Sequence, residues 1–432
     1  MNTPIYDFVS RYTNSNTLRL HMPGHKGSSL LGFEKYDITE ICGADSLYEA
    51  EGIIKESEKN AGLLFGCNTF YSTEGSSHCI RAMLYLSKQM GKNKILAGRN
   101  AHKTFITAAA LLDLDVAWLY GDSSYLSCNI TPENLEAEII KENADAVYIT
   151  SPDYLGNIAD ISAISKVCEK HKVLLMVDNA HGAYLKFLED SLHPIDLGAH
   201  MCCDSAHKTL PCLTGGAYLH IKDDEIAKNA KNALSIFGST SPSYLILQSL
   251  DMVNKYISDG YKYKLMDFIL KTEHFKKILR AKGYSLYEDE PLKITICSKS
   301  YGYTGIKFAE ILRKNNIECE FSDNDFTVLM LSIDSNLERL KKVLLSIEPK
   351  TPVLSFPPKF AKPEKVLTIR EALLSNCEEI PVENAEGRVL SQLNVSCPPA
   401  VPIAVCGEMI DKNIIECFKY YGIKTCKVIK DS

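Results

Sequence analysis

Seven short apolar segments alternate with amphipathic stretches between residues 68 and 221, and few folds accommodate that pattern. Short segments that are apolar throughout are typical of strands buried on both faces. Amphipathic stretches between them are typical of crossover helices, so the pattern predicts a doubly wound, mostly parallel α/β sheet. In such sheets, ligands bind at the carboxyl ends of the strands. The predicted strands are 68–72, 94–98, 116–120, 146–150, 173–178, 201–205 and 216–221, and the predicted helices are 77–89, 104–112, 131–142 and 161–171.

The pattern changes after the sheet region, which indicates further domains. Long helices are predicted within 244–279, and the proline-rich segment 349–363 is typical of a linker. A small α/β unit is predicted from strands 293–297, 317–321 and 327–332 with helices 304–315 and 336–347, and a last helix at 369–375. The predicted division is an N-terminal arm (1–30), a large domain that contains the sheet (31–260), a small α/β domain (261–348) and a linker with a C-terminal domain (349–432).

Composition and charge exclude several classes of function. The 432 residues are 45% hydrophobic and 24% charged, with a formal net charge of −6, so the chain can bury sizeable cores and offers no basic surface for nucleic acid. Its first residues lack a signal-peptide pattern, and no apolar run approaches the roughly 18 residues that span a bilayer. We therefore expect a cytoplasmic protein that binds neither nucleic acid nor membranes.

Two polar segments follow neighbouring predicted strands. Asp178-Asn-Ala-His-Gly182 begins at the end of one apolar run, and Ser205-Ala-His-Lys208 begins at the end of the next. A buried carboxylate is costly unless it faces a cation, and the protonated ring nitrogen of pyridoxal 5'-phosphate (PLP) is such a cation. A lysine amine can hold the same cofactor as a Schiff base. The sequence therefore predicts a PLP site with Asp178 on the pyridine nitrogen and Lys208 as the attachment point; a helix-capping aspartate and a solvated lysine are the alternatives.

A phosphate-binding turn is predicted after the first strand. Gly75, Ser76 and Ser77 lie between that strand and an amphipathic helix. Glycine lets the backbone approach a ligand, and the N–H groups of a helix N-terminus attract an anion. A capping turn without a ligand would use the same residues. Together with Asp178 and Lys208 the segment favours phosphate, and Ser205 and His207, beside Lys208, are further candidates.

Three loop residues lie where a cofactor ring is expected. His102 follows the strand 94–98 and could stack on the ring, with Ala180 on the opposite face, while His181 could reach the phenolic oxygen. An isolated loop histidine is more often a surface residue, but a position at the carboxyl end of a strand favours binding.

The 15 cysteines do not indicate a metal site. No pair has Cys-x-x-Cys spacing, and buried free thiols are expected in a chain without a signal peptide. A zinc site at His200, Cys203 and His207 is disfavoured, because adjacent strand residues point to opposite faces. We expect no metal.

Six segments occur in order along the chain: His21-Met-Pro-Gly-His-Lys-Gly27, Glu51-Gly-Ile-Ile-Lys55, Arg99-Asn-Ala-His-Lys103, Asp178-Asn-Ala-His-Gly182, Ser205-Ala-His-Lys-Thr-Leu-Pro211 and Ser239-Thr-Ser-Pro-Ser-Tyr244. Together they resemble the ornithine/lysine/arginine (Orn/Lys/Arg) decarboxylase family of fold type I PLP enzymes. This resemblance implies an aspartate aminotransferase-like fold. It also implies decarboxylation of arginine, lysine or ornithine to a polyamine or polyamine precursor and CO₂.

The resemblance also implies roles for single residues. Lys208 would attach the cofactor, Asp178 would bind the pyridine nitrogen and His102 would stack on the ring. The phosphate would be bound by Ser76, Ser77, Ser205 and His207. The family implies an obligate homodimer, or a higher oligomer, in which Ser239 and Thr240 of one chain approach the phosphate bound by the other.

The tail resembles the family's C-terminal unit through Glu386-Gly-Arg-Val389, Cys397-Pro-Pro-Ala-Val-Pro402 and Cys406-Gly-Glu408, but departs from its pattern at Cys397, Ala400 and Cys406. Asn179 and Tyr184 stand where many members have glutamate and a second histidine. The chain is also expected to lack the N-terminal receiver-like wing domain of longer members. These departures leave the substrate open. Candidates for the acidic partner of a basic side chain are Glu408, Glu51 and Asp45, and candidates for the proton donor to Cα are Lys208 and His207.

Three other functions were weighed against this one. An aminotransferase or lyase of the same fold could use Arg388 to bind the substrate carboxylate. A nicotinamide dehydrogenase is disfavoured, because no Gly-x-Gly-x-x-Gly follows a predicted strand. A non-catalytic relative is disfavoured because Lys208, Asp178 and His102 are all present.

Overall fold

The structure, a computed structural model, describes residues 1–121, 128–287, 290–396 and 401–430. The chain forms two compact units. Unit 1 consists of Met1–Lys92 and Ile161–Lys264, and unit 2 consists of Asn93–Asp160 and Leu265–Ser432. The predicted division into an arm and three domains stays a prediction.

Seven strands form the predicted sheet. Their number and their alternation with helices confirm the interpretation of the apolar segments, and each predicted end lies within one residue of the observed end. The segments that are buried throughout, such as 174–178, 201–204 and 217–221, lie inside the sheet, whereas 68–72 and 115–119 form its two edges. The strands are β1 (Asn68–Ser72), β2 (Lys94–Gly98), β3 (Asp115–Leu119), β4 (Ala146–Thr150), β5 (Leu174–Asp178), β6 (Met201–Asp204) and β7 (Ala217–Ile221).

The sheet is mostly parallel, with one antiparallel strand. Its order is β1-β7-β6-β5-β4-β2-β3. In unit 1, β5 and β6 are parallel, and β7 is antiparallel to both β6 and β1. In unit 2, β2 is parallel to β3 and β4. The predicted α/β class is therefore confirmed.

The helices begin and end at residues with clear local signals. Thr131 caps the fifth helix by accepting from the Asn134 N–H, and Pro132 occupies its first position. Gly66, with a φ of 73°, ends the second helix in the left-handed conformation that favours glycine. The first eleven helices are α1 (Pro4–Thr13), α2 (Ile53–Phe65), α3 (Ser76–Gln89), α4 (Lys103–Leu112), α5 (Pro132–Glu142), α6 (Ile161–His171), α7 (Ala206–Thr209), α8 (Asp224–Ala227), α9 (Ala230–Ser235), α10 (Tyr244–Tyr256) and α11 (Lys262–Lys282), with a kink within Ile257–Tyr261, where Gly260 has a φ of 89°.

The small α/β part of unit 2 departs from prediction at one strand. The alternation of Ile317, Cys319 and Phe321 predicts a strand over 317–321, but only Phe321–Ser322 pairs with the neighbouring strand. The chain leaves the preceding helix through Asn316 in a left-handed turn, with a φ of 54°, so the segment reaches the sheet only at its end. The elements are β8 (Lys293–Cys297), α12 (Gly305–Lys314), β9 (Phe321–Ser322), β10 (Phe326–Met330) and α13 (Leu337–Ser346), in the sheet order β8-β10-β9.

The C-terminal part of unit 2 has its own apolar core, which includes Leu390, Ile414 and Phe418. The predicted helix at 369–375 is confirmed, and 351–364 contains no helix or strand, as expected of a linker. Cys397 and Ala400 lie outside the described residues. The elements are α14 (Ile369–Leu374), β11 (Cys377–Pro381), β12 (Asn394–Ser396), β13 (Pro402–Val405), α15 (Lys412–Tyr420) and β14 (Thr425–Ile429), and short 3-10 helices lie at Glu34–Tyr36, Ala183–Phe187, Ser298–Tyr301 and Val382–Asn384.

Two further expectations can be compared with the structure. Cys42 and Cys377 are exposed, so the prediction that the cysteines are buried is wrong for these two. Within the described residues, every helix is too short or too polar to cross a bilayer.

Candidate active site

Asp178 is the last residue of β5 and is buried, as the sequence predicts. Its side chain is 2% exposed. The Oδ1 atom accepts a hydrogen bond from the Ala180 N–H at 3.2 Å and from the Cys203 thiol at 3.6 Å. Cys203 lies opposite Asp178 in the parallel pairing of β5 and β6. The carboxylate is therefore fixed at the carboxyl end of the sheet, where an α/β fold binds its ligand.

Lys208 lies beside the loop that follows Asp178. It belongs to the single turn of α7, which starts two residues after β6. Its Nζ atom is 3.0 Å from Nε2 of His181, which is 6% exposed. The structure therefore brings together the predicted attachment lysine and the predicted partner of the phenolic oxygen, which are 27 residues apart in sequence.

The turn between β1 and α3 has the geometry of an anion cradle. Gly75 has a φ of 72° and a ψ of 177°, a conformation essentially restricted to glycine, and Ser76 is the first residue of the 14-residue helix α3. The Ser205 hydroxyl donates to the Ser76 hydroxyl at 2.8 Å. A Cβ atom on Gly75 would lie 3.9 Å from Cε1 of His207, so His207 borders the same turn.

These residues fit PLP. The helix N-terminus and the paired hydroxyls suit a phosphate, and the buried carboxylate of Asp178 suits a ring cation. The Nδ1 atom of His207 is fixed 3.0 Å from the Gly216 carbonyl oxygen. Ser77 is half-buried as the second residue of α3, and Ala180 is 7% exposed.

His102 belongs to unit 2, where it caps helix α4. Its Nδ1 accepts a hydrogen bond from the Thr104 N–H at 3.2 Å. In the neutral imidazole the proton is therefore on Nε2. The ring is exposed, and its stacking on the cofactor stays a prediction.

Ser239 and Thr240 are exposed on unit 1. The Ser239 N–H donates to Oε1 of Glu74 at 2.7 Å, next to the Gly75 turn in the same chain. Their predicted approach to the phosphate of a second chain stays a prediction.

Comparison with known proteins identifies the family. Residues 3–291 match the family model described as Orn/Lys/Arg decarboxylase, major domain, and residues 353–425 match the model of the C-terminal domain of the same family. The chain belongs to the Orn/Lys/Arg decarboxylase family. It is a PLP-dependent amino acid decarboxylase of fold type I, which confirms the resemblance found in the motifs.

Individual relatives cover nearly the whole decarboxylase chain. It is 29% identical to the uncharacterized protein YaaO of Bacillus subtilis over 96% of its length and 93% of the relative. It is 28% identical to an arginine decarboxylase of Halalkalibacterium halodurans over 95% of its length and 91% of the relative. The crystal structure of the Francisella novicida lysine decarboxylase LdcF superposes with a TM-score of 0.82 at 17% identity, covering 99% of this chain and 81% of that one, which shows the shared fold.

Two of the three acidic candidates in this decarboxylase are engaged elsewhere. Both carboxylate oxygens of Glu408 bind the Arg99 guanidinium, at 2.5 and 2.7 Å, and both side chains are almost fully buried. Asp45 accepts hydrogen bonds from backbone N–H groups at the start of α2, including those of Gly52 and Ile54. Glu51 is exposed, and its N–H is among the groups that donate to Asp45, at 3.0 Å.

Arg388 does not have the surroundings of a substrate clamp. Its guanidinium donates to Glu378 at 2.8 Å and to the Ile429 carbonyl at 2.7 Å, inside the C-terminal part of unit 2. Arg388, the arginine that an aminotransferase would need to bind the substrate carboxylate, is therefore bound to other groups.

Two groups of residues that the structure brings together, one in each unit, were not identified from the sequence. Arg99 lies in one of the six family motifs, but the motif assigns it no role. Its guanidinium binds Glu408 and lies 5.2 Å from the Trp118 ring and 5.5 Å from the Tyr120 ring. His193 and His220 were not named, yet both contact Asp204. No local motif marks these residues, because each contact joins distant parts of the chain. The one available signal is that Asp204 and Cys202 share a face of β6 and that His220 pairs with Cys202 on the neighbouring strand β7.

Proposed function

We propose that this decarboxylase acts on a basic amino acid, with arginine to be tested before lysine and ornithine, and releases CO₂ and the corresponding amine, a polyamine or polyamine precursor. The observation that carries the proposal is the buried carboxylate of Asp178 beside the Lys208–His181 pair. Arginine is ranked first because relatives that align over more than nine-tenths of this chain are named arginine decarboxylases.

PLP, when bound, supplies a ring that accepts the electron pair left when the carboxyl group departs. Asp178 would keep a proton on the pyridine nitrogen. Because the carboxylate is buried, its attraction to a ring cation is weakly screened. The Ala180 N–H holds Oδ1, which limits rotation of the carboxylate.

Lys208 would attach the cofactor and afterwards return the proton to Cα. Its amine lies within hydrogen-bond reach of His181, so the pair can hold and transfer a proton. His207 was the other candidate donor. The Nδ1 atom of His207 is fixed against the Gly216 carbonyl, which favours a role beside the phosphate.

The phosphate would be bound by the Gly75 turn with Ser76, Ser77, Ser205 and His207, and His102 would stack on the ring. We further propose a cytoplasmic homodimer in which Ser239 and Thr240 of one chain approach the phosphate of the other. Their exposure supports this arrangement. Glu51 is the remaining candidate for binding the basic side chain, because Glu408 and Asp45 are engaged.

A decarboxylation assay tests the function directly. Purified holoenzyme should release CO₂ and the matching amine from one of arginine, lysine and ornithine, with much lower kcat/KM for the other two. The Lys208→Ala variant, purified in the same way, should release neither product above background. A keto acid as the main product, or no product from any of the three substrates, would refute the proposal.

A further inference from the structure

A buried carboxylate lies at the end of β6, on Asp204, the residue that precedes Ser205 of the proposed site. Asp204 is 0% exposed, as are His193 and His220. Its Oδ2 atom is 3.1 Å from Nε2 of His193 and 3.2 Å from Nε2 of His220. Its Oδ1 atom accepts a hydrogen bond from the Asn179 amide at 2.6 Å. One carboxylate therefore binds two imidazoles and one amide.

Opposite charges stabilise the contact between Asp204 and His220. Burial alone would raise the pKa of Asp204, but the two histidines outweigh burial and hold that pKa well below its usual value, so the carboxylate is ionised. Burial alone would lower the pKa of His220, and the charge of Asp204 outweighs it, so that pKa is raised. The Thr69 hydroxyl is 2.9 Å from Nδ1 of His220 and fixes the far side of its ring.

The cluster joins the two segments that carry the proposed cofactor contacts. Asn179 follows Asp178, and its own N–H donates to the Cys203 carbonyl at 3.0 Å. Its carbonyl accepts from the Gly182 N–H at 2.7 Å, which shapes the loop that carries His181. Asp204 precedes the turn that carries Ser205 and Lys208. The Asn179–Asp204 hydrogen bond thus links the ends of β5 and β6 where the site begins.

We propose that Asp204 and Asn179 are positioning residues for the decarboxylase site. Their hydrogen bond, anchored by His193 and His220, fixes the Asp178 carboxylate relative to the turn that carries Ser205 and Lys208. The inference rests on the proposed function and deepens it. Asp204 is bound on both oxygens, so its carboxylate cannot rotate without breaking a buried hydrogen bond, which is costly where no water can replace it.

A metal ion is the competing explanation for two histidines and an aspartate that face each other. Metal-bound histidines almost always donate their other ring N–H to an acceptor. Nδ1 of His193 is buried and has no hydrogen-bond partner within the described ranges. Burial also raises the pKa of Cys202, whose Sγ atom is 3.9 Å from Nε2 of His193, well above its usual value, so this thiol stays protonated. The contacts favour a hydrogen-bonded cluster.

Three variants and one control test the role of the pair. Asp204→Asn removes the charge that holds both imidazoles, and Asn179→Asp places a second carboxylate against the first. The exchange Asn179→Asp with Asp204→Asn restores a carboxylate–amide hydrogen bond across the strands. The control is Asp251→Asn, because Asp251 is also a 0% exposed aspartate of unit 1, but it binds the N–H groups of Ile5 and Tyr6 and not the site.

The readouts are kcat, KM, thermal midpoint and the visible circular dichroism of the bound cofactor, all on holoenzyme. Misplacement of a reacting group costs on the order of tenfold to a hundredfold in rate. We expect that loss in kcat for each single variant, with KM changed by less than about threefold, an altered dichroism band, and a higher kcat for the exchange than for Asn179→Asp. Asp251→Asn should lower the thermal midpoint while keeping the wild-type dichroism band.

Three results would overturn the proposal. These are wild-type kcat and dichroism in Asp204→Asn, an exchange variant no better than Asn179→Asp, and about one equivalent of zinc per chain in purified holoenzyme. Failure of the proposed function would be distinguishable, because wild-type enzyme would then release no amine from any of the three substrates.

Discussion

Asp178 and Lys208 illustrate which residues of the site can be predicted from the sequence. Asp178 ends one apolar strand and Lys208 lies just after another, both at the carboxyl edge of the sheet, so local pattern alone predicts that they lie near a ligand. Glu408 and Asp45 were candidates for the substrate side chain, and tertiary contacts exclude that use. The partner of Glu408 lies 309 residues away, and Asp45 meets the start of a helix, so no local pattern could reveal either contact.

Asp178→Asn tests the proposed charge partner of the ring nitrogen. The amide keeps the shape of the side chain and the contact with the Ala180 N–H, but it carries no charge to hold a proton on the ring. We expect the variant to bind PLP and to lose roughly a hundredfold or more in kcat, measured beside wild type at saturating substrate. Near-wild-type turnover would contradict the role given to this carboxylate.

Among the secondary-structure segments, the seven strands of the main sheet were predictable because they are short, apolar and separated by helix signals. The strand predicted over 317–321 was wrong because alternation alone does not ensure a pairing partner, and the chain there pairs with β10 only at Phe321 and Ser322. The turn between β1 and α3 could be located from its glycine and serines. Its backbone conformation, on which anion binding depends, became clear only from the structure.

Gly75→Ala tests that turn. At this φ and ψ a Cβ atom adds strain of about 1–3 kcal/mol, although the space around it is open to 3.9 Å. The turn should relax and move the helix N-terminus away from the phosphate, weakening PLP binding by roughly tenfold in a titration followed by absorbance. Gly91→Ala is the matched control, because Gly91 has a φ of 74° at the far end of α3 and open space around it. Equal PLP affinity in the two variants would contradict the assignment of the cradle.

For the chain as a whole, the sequence predicted the α/β class, the C-terminal unit and the family, since each depends on patterns repeated over many residues. It did not predict how residues of the major-domain match contact residues of the C-terminal match. Arg99 lies in the first and Glu408 in the second, and their bidentate ion pair is buried inside unit 2. The two residues of this ion pair meet only when distant segments pack together, so no local sequence pattern predicts their contact.

Glu408→Gln should destabilise unit 2 by about 3–5 kcal/mol, because it leaves the buried Arg99 guanidinium without its counter-charge. The measurement is a denaturation curve of holoenzyme. Glu378→Gln is the control, since the Arg388–Glu378 pair is partly exposed and its loss should cost about 1 kcal/mol or less. Equal losses in the two variants would show that the Arg99–Glu408 pair contributes no more than a surface pair.

The Arg99–Glu408 ion pair cannot form until both residues have been synthesised, which delays folding around Arg99. A ribosome adds roughly 5–20 residues per second, so the 309 residues between Arg99 and Glu408 take about 15–60 s to appear. Over that interval the guanidinium has no carboxylate to meet and must stay hydrated, because an unpaired buried cation is too costly. The end of β2, with the turn that leads to His102, therefore closes only after the C-terminal segment has emerged, and the nascent chain reaches its final packing there late.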